Sequence, residues 1–150
     1  MKITIAGHYA TRFGELWGMS LASLFEEAAY GAVSNAKIDY GDVEAIFVAN
    51  KAGGLFEGQL HLGALVSELF AHNPPALRIE GACASGSLAA IAAEQSLLSG
   101  RYKTVVGAEK MTDTTAAATT KILSGAADID REYGISSFLK TSHSDGSSEI

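Results

Sequence analysis

The sequence predicts an α/β layered domain built on a mostly parallel sheet. Short continuous apolar runs, such as residues 45–49 and 104–108, alternate with longer stretches whose apolar residues recur at helical spacing. Continuous runs, unlike alternating ones, suit strands covered on both faces. Turn chemistry separates the two kinds of segment, with Pro74-Pro75 and Gly100 as the firmest stops.

Residues 2–6 alternate and read as a first strand, followed by a loop over 7–18. Ser20 is placed to cap a helix, because its hydroxyl can accept from a first-turn amide. Leu21, Leu24, Phe25, Ala28, Ala29, Ala32 and Val33 form the apolar face of that helix, with Glu26 and Glu27 on the wet face. The run 45–49 reads as a buried strand, and 50–58, with Gly53 and Gly54, as a loop. A second helix is expected over 59–71, where Leu62, Leu65, Val66, Leu69 and Phe70 share a face. Pro74-Pro75 ends that region, since proline blocks a helix and pushes its predecessor toward extended geometry. Residues 76–79 then read as a strand and 84–99 as a helix. This helix is small or apolar nearly all round, which marks it as buried. Residues 104–108 read as a further buried strand.

The character shifts after Thr112. Residues 112–120 are low in complexity and read as loop or weak helix, and 136–150 are rich in Ser without a sustained period. The expected division is a core over 1–115 and a loop-like segment over 116–150, poorly ordered in isolation. A chain of 150 residues with 47% hydrophobic content can form a packed globular domain. The net charge of −6, with no basic stripe, argues against nucleic acid as a partner. It does not exclude an anionic ligand, for which a few cations and a helix N-terminus suffice. The longest apolar region, 82–93, is interrupted by Ser and Gly and falls short of a membrane span. No signal-peptide pattern opens the chain, and the single cysteine forms no internal disulfide, so the expectation is a soluble cytoplasmic protein. Glycine-rich dinucleotide and P-loop patterns are absent. Asp128, Asp130 and Glu132 lack the spacing and glycine of a calcium loop, so neither a metal nor a cofactor is expected.

That cysteine, Cys83, follows the 76–79 strand and directly precedes the long Ala-rich helix. Backbone amides and the positive dipole end at a helix N-terminus favour thiolate over thiol, and thiolate is the nucleophile of covalent acyl transfer. On placement alone, a buried cysteine acting as a small hydrophobe remains the competing reading.

The residues around it decide between the two. Glu80-Gly81-Ala82-Cys83-Ala84-Ser85-Gly86 resembles the nucleophile motif of thiolases, especially acetyl-CoA acetyltransferases of the archaeal and sterol-carrier-protein-X-like branch. Ile3 to Gly7 with Thr11 to Glu15, Asp42 to Asn50, and Gly107-Ala108-Glu109-Lys110-Met111 look like further stretches of that family in the same order. The resemblance implies a thiolase-like layered fold, a mixed five-stranded sheet with helices on both faces, of which this chain carries the N-terminal half. It implies acyl-CoA as the substrate, a pantetheine tunnel leading to Cys83, and an acyl-cysteine formed from acetyl-CoA or a 3-ketoacyl-CoA. Backbone donors near Cys83 and Gly86 would hold the oxyanion, while Ser85 and Ser87 read as helix-start residues and Glu109 as a support. The family's second cysteine, a base, and its Gly-His-Pro histidine have no match here, and His8, His61, His72 and His143 lie in no matching motif. The chain is therefore expected to be inactive alone and to act as a homo-oligomer or with a complementary C-terminal thiolase subunit. Two alternatives stay open at this point: a relative of ketoacyl synthase III or HMG-CoA synthase, and a non-catalytic scaffold half that docks on a partner.

Overall fold

A computed structural model describes residues 2–56, 58–102, 105–106 and 116–126. Ser20 starts the first helix, α1 (Leu21–Ala36), its Oγ accepting from the Ser23 amide at 3.1 Å. Leu21, Phe25, Ala29 and Val33 recur every four residues and form the buried face. The helix stops at Lys37 in left-handed backbone (φ 57°), where the Lys37 and Ile38 amides reach back to the Ser34 and Val33 carbonyls. A 3-10 turn at Tyr40–Asp42 leads into β1 (Ala45–Ala49), α2 (Gly53–Phe56), α3 (Leu62–Ser67), β2 (Ala76–Ile79), a second 3-10 turn at Ala82–Ala84, α4 (Ser85–Leu98) and β3 (Val105–Val106).

The described strands form a parallel sheet in the order β2-β1-β3. Pairing runs in register from Ile46–Ala76 to Ala49–Ile79, and on the other edge of β1 at Ala45–Val105 and Ile46–Val106. Parallel neighbours need crossovers, and α3 and α4 lie in the two connections. They cover opposite faces of the sheet. Ile46 and Val48 pack with Phe25 of α1, Leu62 and Val66 of α3, and Phe70. Ala45, Phe47 and Ala49 pack with Ala89, Ala92 and Ala93 of α4. Every residue of β1 is buried as a result. Gly63 permits the close seating of α3 on β2, since a Cβ there would lie 2.8 Å from the Ala76 carbonyl oxygen.

Four expectations need correction. Residues 2–6 form no strand. Gly7 instead lies against Ala32 and Ala36 of α1, the His8 amide donates to Asn35 Oδ1 at 3.3 Å, and Tyr9 Oη donates to Glu27 at 2.9 Å. Contacts to the helix thus hold the segment where a ladder was expected, and Ile5 is exposed. The 50–58 loop contains the turn α2, because Asn50 Oδ1 accepts from the Ala52 amide at 3.0 Å and Ala52 in turn accepts from Leu55 and Phe56. The second helix is shorter than its apolar period, and the chain after Ser67 continues in turns whose Ser67 hydroxyl donates to the Pro74 carbonyl at 2.7 Å. Finally, among the described residues α4 is covered on the face it turns to the sheet. Ser85 and Ala89 are buried toward the sheet, while Leu88, Ile91 and Leu98 on the opposite face stay 40%, 48% and 53% exposed.

The chain divides into two compact units, Met1–Asp113 and Thr114–Ile150. In the second, α5 (Ala116–Ser124) is a regular helix where the sequence left loop and weak helix open, and Ser124 Oγ donates to the Lys121 carbonyl at 2.7 Å. Residues 104, 107 and 108 of the last expected strand, and the 136–150 tail, lie outside the described residues.

Candidate active site

The carboxyl ends of parallel strands are where α/β sheets gather ligands and chemistry. At that end of β1 the Asn50 amide donates to the Ile79 carbonyl at 3.2 Å, extending the β1–β2 pairing one residue past the strand. Lys51 and the chain beyond Ile79 are thereby brought side by side. Arg78 and Glu80, at the end of β2, form an ion pair, while Arg78 Nε is buried without a hydrogen-bond partner among the described residues.

Beyond Glu80 the backbone turns sharply. Ala82 has φ 49°, a left-handed conformation that a residue with a Cβ adopts at a cost of roughly 1–2 kcal/mol. Cys83 follows within the Ala82–Ala84 turn, and α4 begins two residues later. The sequence expectation for its position is met: a strand, a tight turn, the thiol, then a long helix. Cys83 is exposed and free, which removes the reading of a buried small hydrophobe.

One buried hydroxyl holds this turn together. Ser85 Oγ accepts from the Gly81 amide at 3.0 Å and donates to the Ala82 carbonyl at 2.7 Å, and the Ala84 amide closes the turn on the Gly81 carbonyl at 2.9 Å. The N-cap of α4 is Ala84, which supplies no side-chain acceptor to the first-turn amides. Those donors and the helix dipole favour negative charge beside the thiol. Gly86 sits in that first turn, and a Cβ built on it would meet nothing within 4 Å.

Asn50, Lys51 and Ser85 are the buried polar side chains among the described residues, and all three lie at this edge of the sheet. Lys51 Nζ donates to Cys83 Sγ at 3.7 Å. Neither Lys51 nor the bridging role of Ser85 stood out in the sequence. The available signal was an amide and an ammonium, Asn50-Lys51, directly after an unbroken apolar strand.

A ring nitrogen of His72 lies 2.7 Å from the Val43 carbonyl oxygen, His61 precedes α3, and the His8 amide bonds to Asn35. Ser87 is exposed in the first turn of α4. Glu109, Asp128, Asp130, Glu132 and His143 lie outside the described residues. Among the described residues no three His, Cys, Asp or Glu side chains gather as a metal site, and no helix is long and apolar enough to cross a membrane.

Residues 3–144 match the family model for the thiolase N-terminal domain. A protein of Methanocaldococcus jannaschii named acetyl-CoA acetyltransferase is 44% identical over 133 residues, covering 87% of this chain and 33% of that protein. A protein of the same name from Methanothermobacter thermautotrophicus is 38% identical over 114 residues, covering 74% of this chain and 30% of that protein. The chain thus spans about a third of the length of these relatives.

Proposed function

The chain belongs to the thiolase family, whose N-terminal domain it carries, and from that premise we propose that Cys83 is the nucleophile of an acyl-CoA acyltransferase. The observation that carries the proposal is an exposed, free thiol raised on a left-handed turn at the start of a 14-residue helix. The thiolate attacks the thioester carbonyl carbon of acetyl-CoA, or the 3-keto carbonyl carbon of a 3-ketoacyl-CoA. The carbonyl oxygen takes up negative charge, which first-turn amides of α4, including that of Gly86, stabilise. Collapse expels the thiolate of coenzyme A from acetyl-CoA; with a ketoacyl substrate it breaks the C2–C3 bond and releases the enolate of acetyl-CoA, which takes up a proton, and either route leaves an acyl-cysteine. The two relatives named for acetyl-CoA acetylation support acetyl as the transferred group.

Carbon–carbon bond formation also needs a base for the second substrate. The histidine and second cysteine that such a step implies have no match in these 150 residues, and we assign them to a C-terminal half, on the same polypeptide or on a separate subunit. The same half would complete the sheet to five mixed strands and cover the bare face of α4, in a homo-oligomer or a two-subunit enzyme. A reducing cytoplasm suits the free thiol.

The test is intact-mass spectrometry after mixing with acetyl-CoA. The complete assembly is expected to gain one acetyl group, the isolated chain to gain it slowly or not at all, and Cys83→Ala to remove it. An adduct that survives Cys83→Ala would overturn the assignment of the nucleophile.

A further inference from the structure

We propose that Leu88 is a positioning residue for Cys83, its side chain clamping the turn that presents the thiol. A Cβ built on Gly81 would collide with Leu88 Cδ1 and lie 3.5 Å from Leu88 Cγ. The leucine therefore fills the space that a side chain at position 81 would need. Gly81 has φ −161°, an extended value that other residues also adopt. Contact with Leu88, and not a left-handed backbone, is what the missing side chain serves.

The contact follows from helix geometry. Side chains of an α-helix tilt toward its N-terminus and cover the turn before their own Cα. Leu88 is the fourth residue of α4, so the turn before it is the one that carries Cys83. Ser85, three residues earlier, is 1% exposed and grips that turn from the buried side, whereas Leu88, 40% exposed, meets it from the side nearer solvent. Gly81 is thus held at three points. Its amide donates to Ser85 Oγ at 3.0 Å, its carbonyl accepts the Ala84 amide at 2.9 Å, and its Cα lies against Leu88.

The next residue explains why a third point matters. Ala82 is left-handed at φ 49°, and a strained residue persists only where its surroundings over-determine it. The Ser85 hydroxyl fixes the groups on either side of Ala82 through directional bonds. Leu88 adds contact that blocks Gly81 from moving toward the exposed face of α4. Cys83 cannot swing away from the first-turn amides of that helix unless Gly81 moves with it. Small misplacements of a reacting atom cost large factors in rate, so the clamp matters to chemistry. This role rests on the acyl-transfer reading for its purpose, and on the Gly81–Leu88 contact for its existence.

The experiment is alkylation of the 150-residue chain by iodoacetamide at neutral pH, followed by intact mass. Cys83 is the single cysteine, so the adduct missing from Cys83→Ala reports it. Leu88→Ala is expected to react about threefold or more slowly than wild type, because the sulfur drifts from amides that favour negative charge. Leu88→Met, which keeps the volume, should restore the rate to within about twofold of wild type. Ile91→Ala truncates a 48% exposed neighbour on the same helix face and should leave the rate unchanged, which separates positioning from a general loss of stability. Gly81→Ala should also react slowly, and its penalty should shrink once Leu88→Ala removes the side chain it collides with. Leu88→Ala reacting as fast as wild type or faster overturns the proposal, as does Ile91→Ala slowing as much as Leu88→Ala. An undiminished Gly81→Ala penalty in the double variant overturns it too. No thioester enters these measurements. Leu88-dependent alkylation without any acetyl adduct in the complete assembly would therefore sink the acyl-transfer reading and leave this one standing.

Discussion

Ser85 and Ala82 are joined by a 2.7 Å hydrogen bond from the buried serine hydroxyl to the alanine carbonyl, across the one turn that exposes Cys83. The same hydroxyl accepts the Gly81 amide. Two backbone groups on either side of a left-handed residue therefore depend on one side chain, and the position of the thiol depends on them.

Ser85→Ala is expected to lower stability by about 1–3 kcal/mol, because it leaves a backbone donor and acceptor without their partner. It should also slow alkylation of Cys83 by loosening the turn. Ser87→Ala, at an exposed position of the same helix, should stay within about 0.5 kcal/mol of wild type. Urea denaturation of the two variants side by side is the check, and equal losses would remove the special role of Ser85.

The strain at Ala82 can be probed in both directions. Ala82→Gly relieves the left-handed penalty at some cost in chain entropy, for a net gain of about 0.5 kcal/mol. Ala82→Val puts a β-branched residue at φ 49° and should lose about 2 kcal/mol or more. Thermal melts that rank Val above Ala would contradict the turn geometry.

Tyr40 stacks on Phe70 at 4.2 Å and on Tyr30 at 4.7 Å, and its hydroxyl is buried without a partner among the described residues. Burial first, then the Glu26 charge and Tyr30, push its pKa from 10.0 up to about 12. The folded state thus holds this proton more tightly than the unfolded chain. The associated stability is fully present below pH 10 and is lost as pH rises from 10 toward 12. Tyr40→Phe should flatten the alkaline limb of the stability curve. At neutral pH it should be neutral or stabilising by up to about 1 kcal/mol, since no hydrogen bond is given up. An unchanged alkaline slope in the variant would refute the assignment.

The bare face of α4 leads to a solution prediction. Leu88, Ile91 and Leu98 are exposed on one side of the helix, and contiguous apolar surface promotes association. Light scattering at micromolar concentration should find the isolated chain associated, and Ile91→Glu should shift it toward monomer. A monodisperse wild-type monomer that binds no hydrophobic dye would count against both an oligomer and a covering C-terminal half.

The strands and caps that local chemistry controls were legible in the sequence. Ala45–Ala49 and Ala76–Ile79 coincide with their apolar runs, Ser20 caps where a hydroxyl was needed, and α4 differs from its expected span by a residue at each end. Cys83 was legible because a strand, small residues and a helix specify its surroundings together. What escaped the sequence depends on contacts between segments. Residues 2–6 have strand-like alternation, yet Gly7, His8 and Tyr9 find partners on α1. The all-apolar pattern of α4 says that two faces want cover, but not which cover the described residues supply. Lys51 and Cys83 are 32 positions apart, and only the parallel register of β1 and β2 makes them neighbours.

That register also has a consequence for the order in which the protein can be assembled. β1 is the middle strand, yet it precedes both of its neighbours along the chain. A ribosome delivers Ala45–Ala49 well before Ala76–Ile79, and Val105–Val106 later still. For that interval the most apolar strand of the sheet has two unpaired edges, the condition in which nascent chains are most open to wrong strand partners. α1, already synthesised, can shelter only the face that carries Ile46 and Val48. The face of Ala45, Phe47 and Ala49 waits for α4, the helix that follows Cys83, and the second edge of β1 stays unpaired until Val105–Val106 has been made.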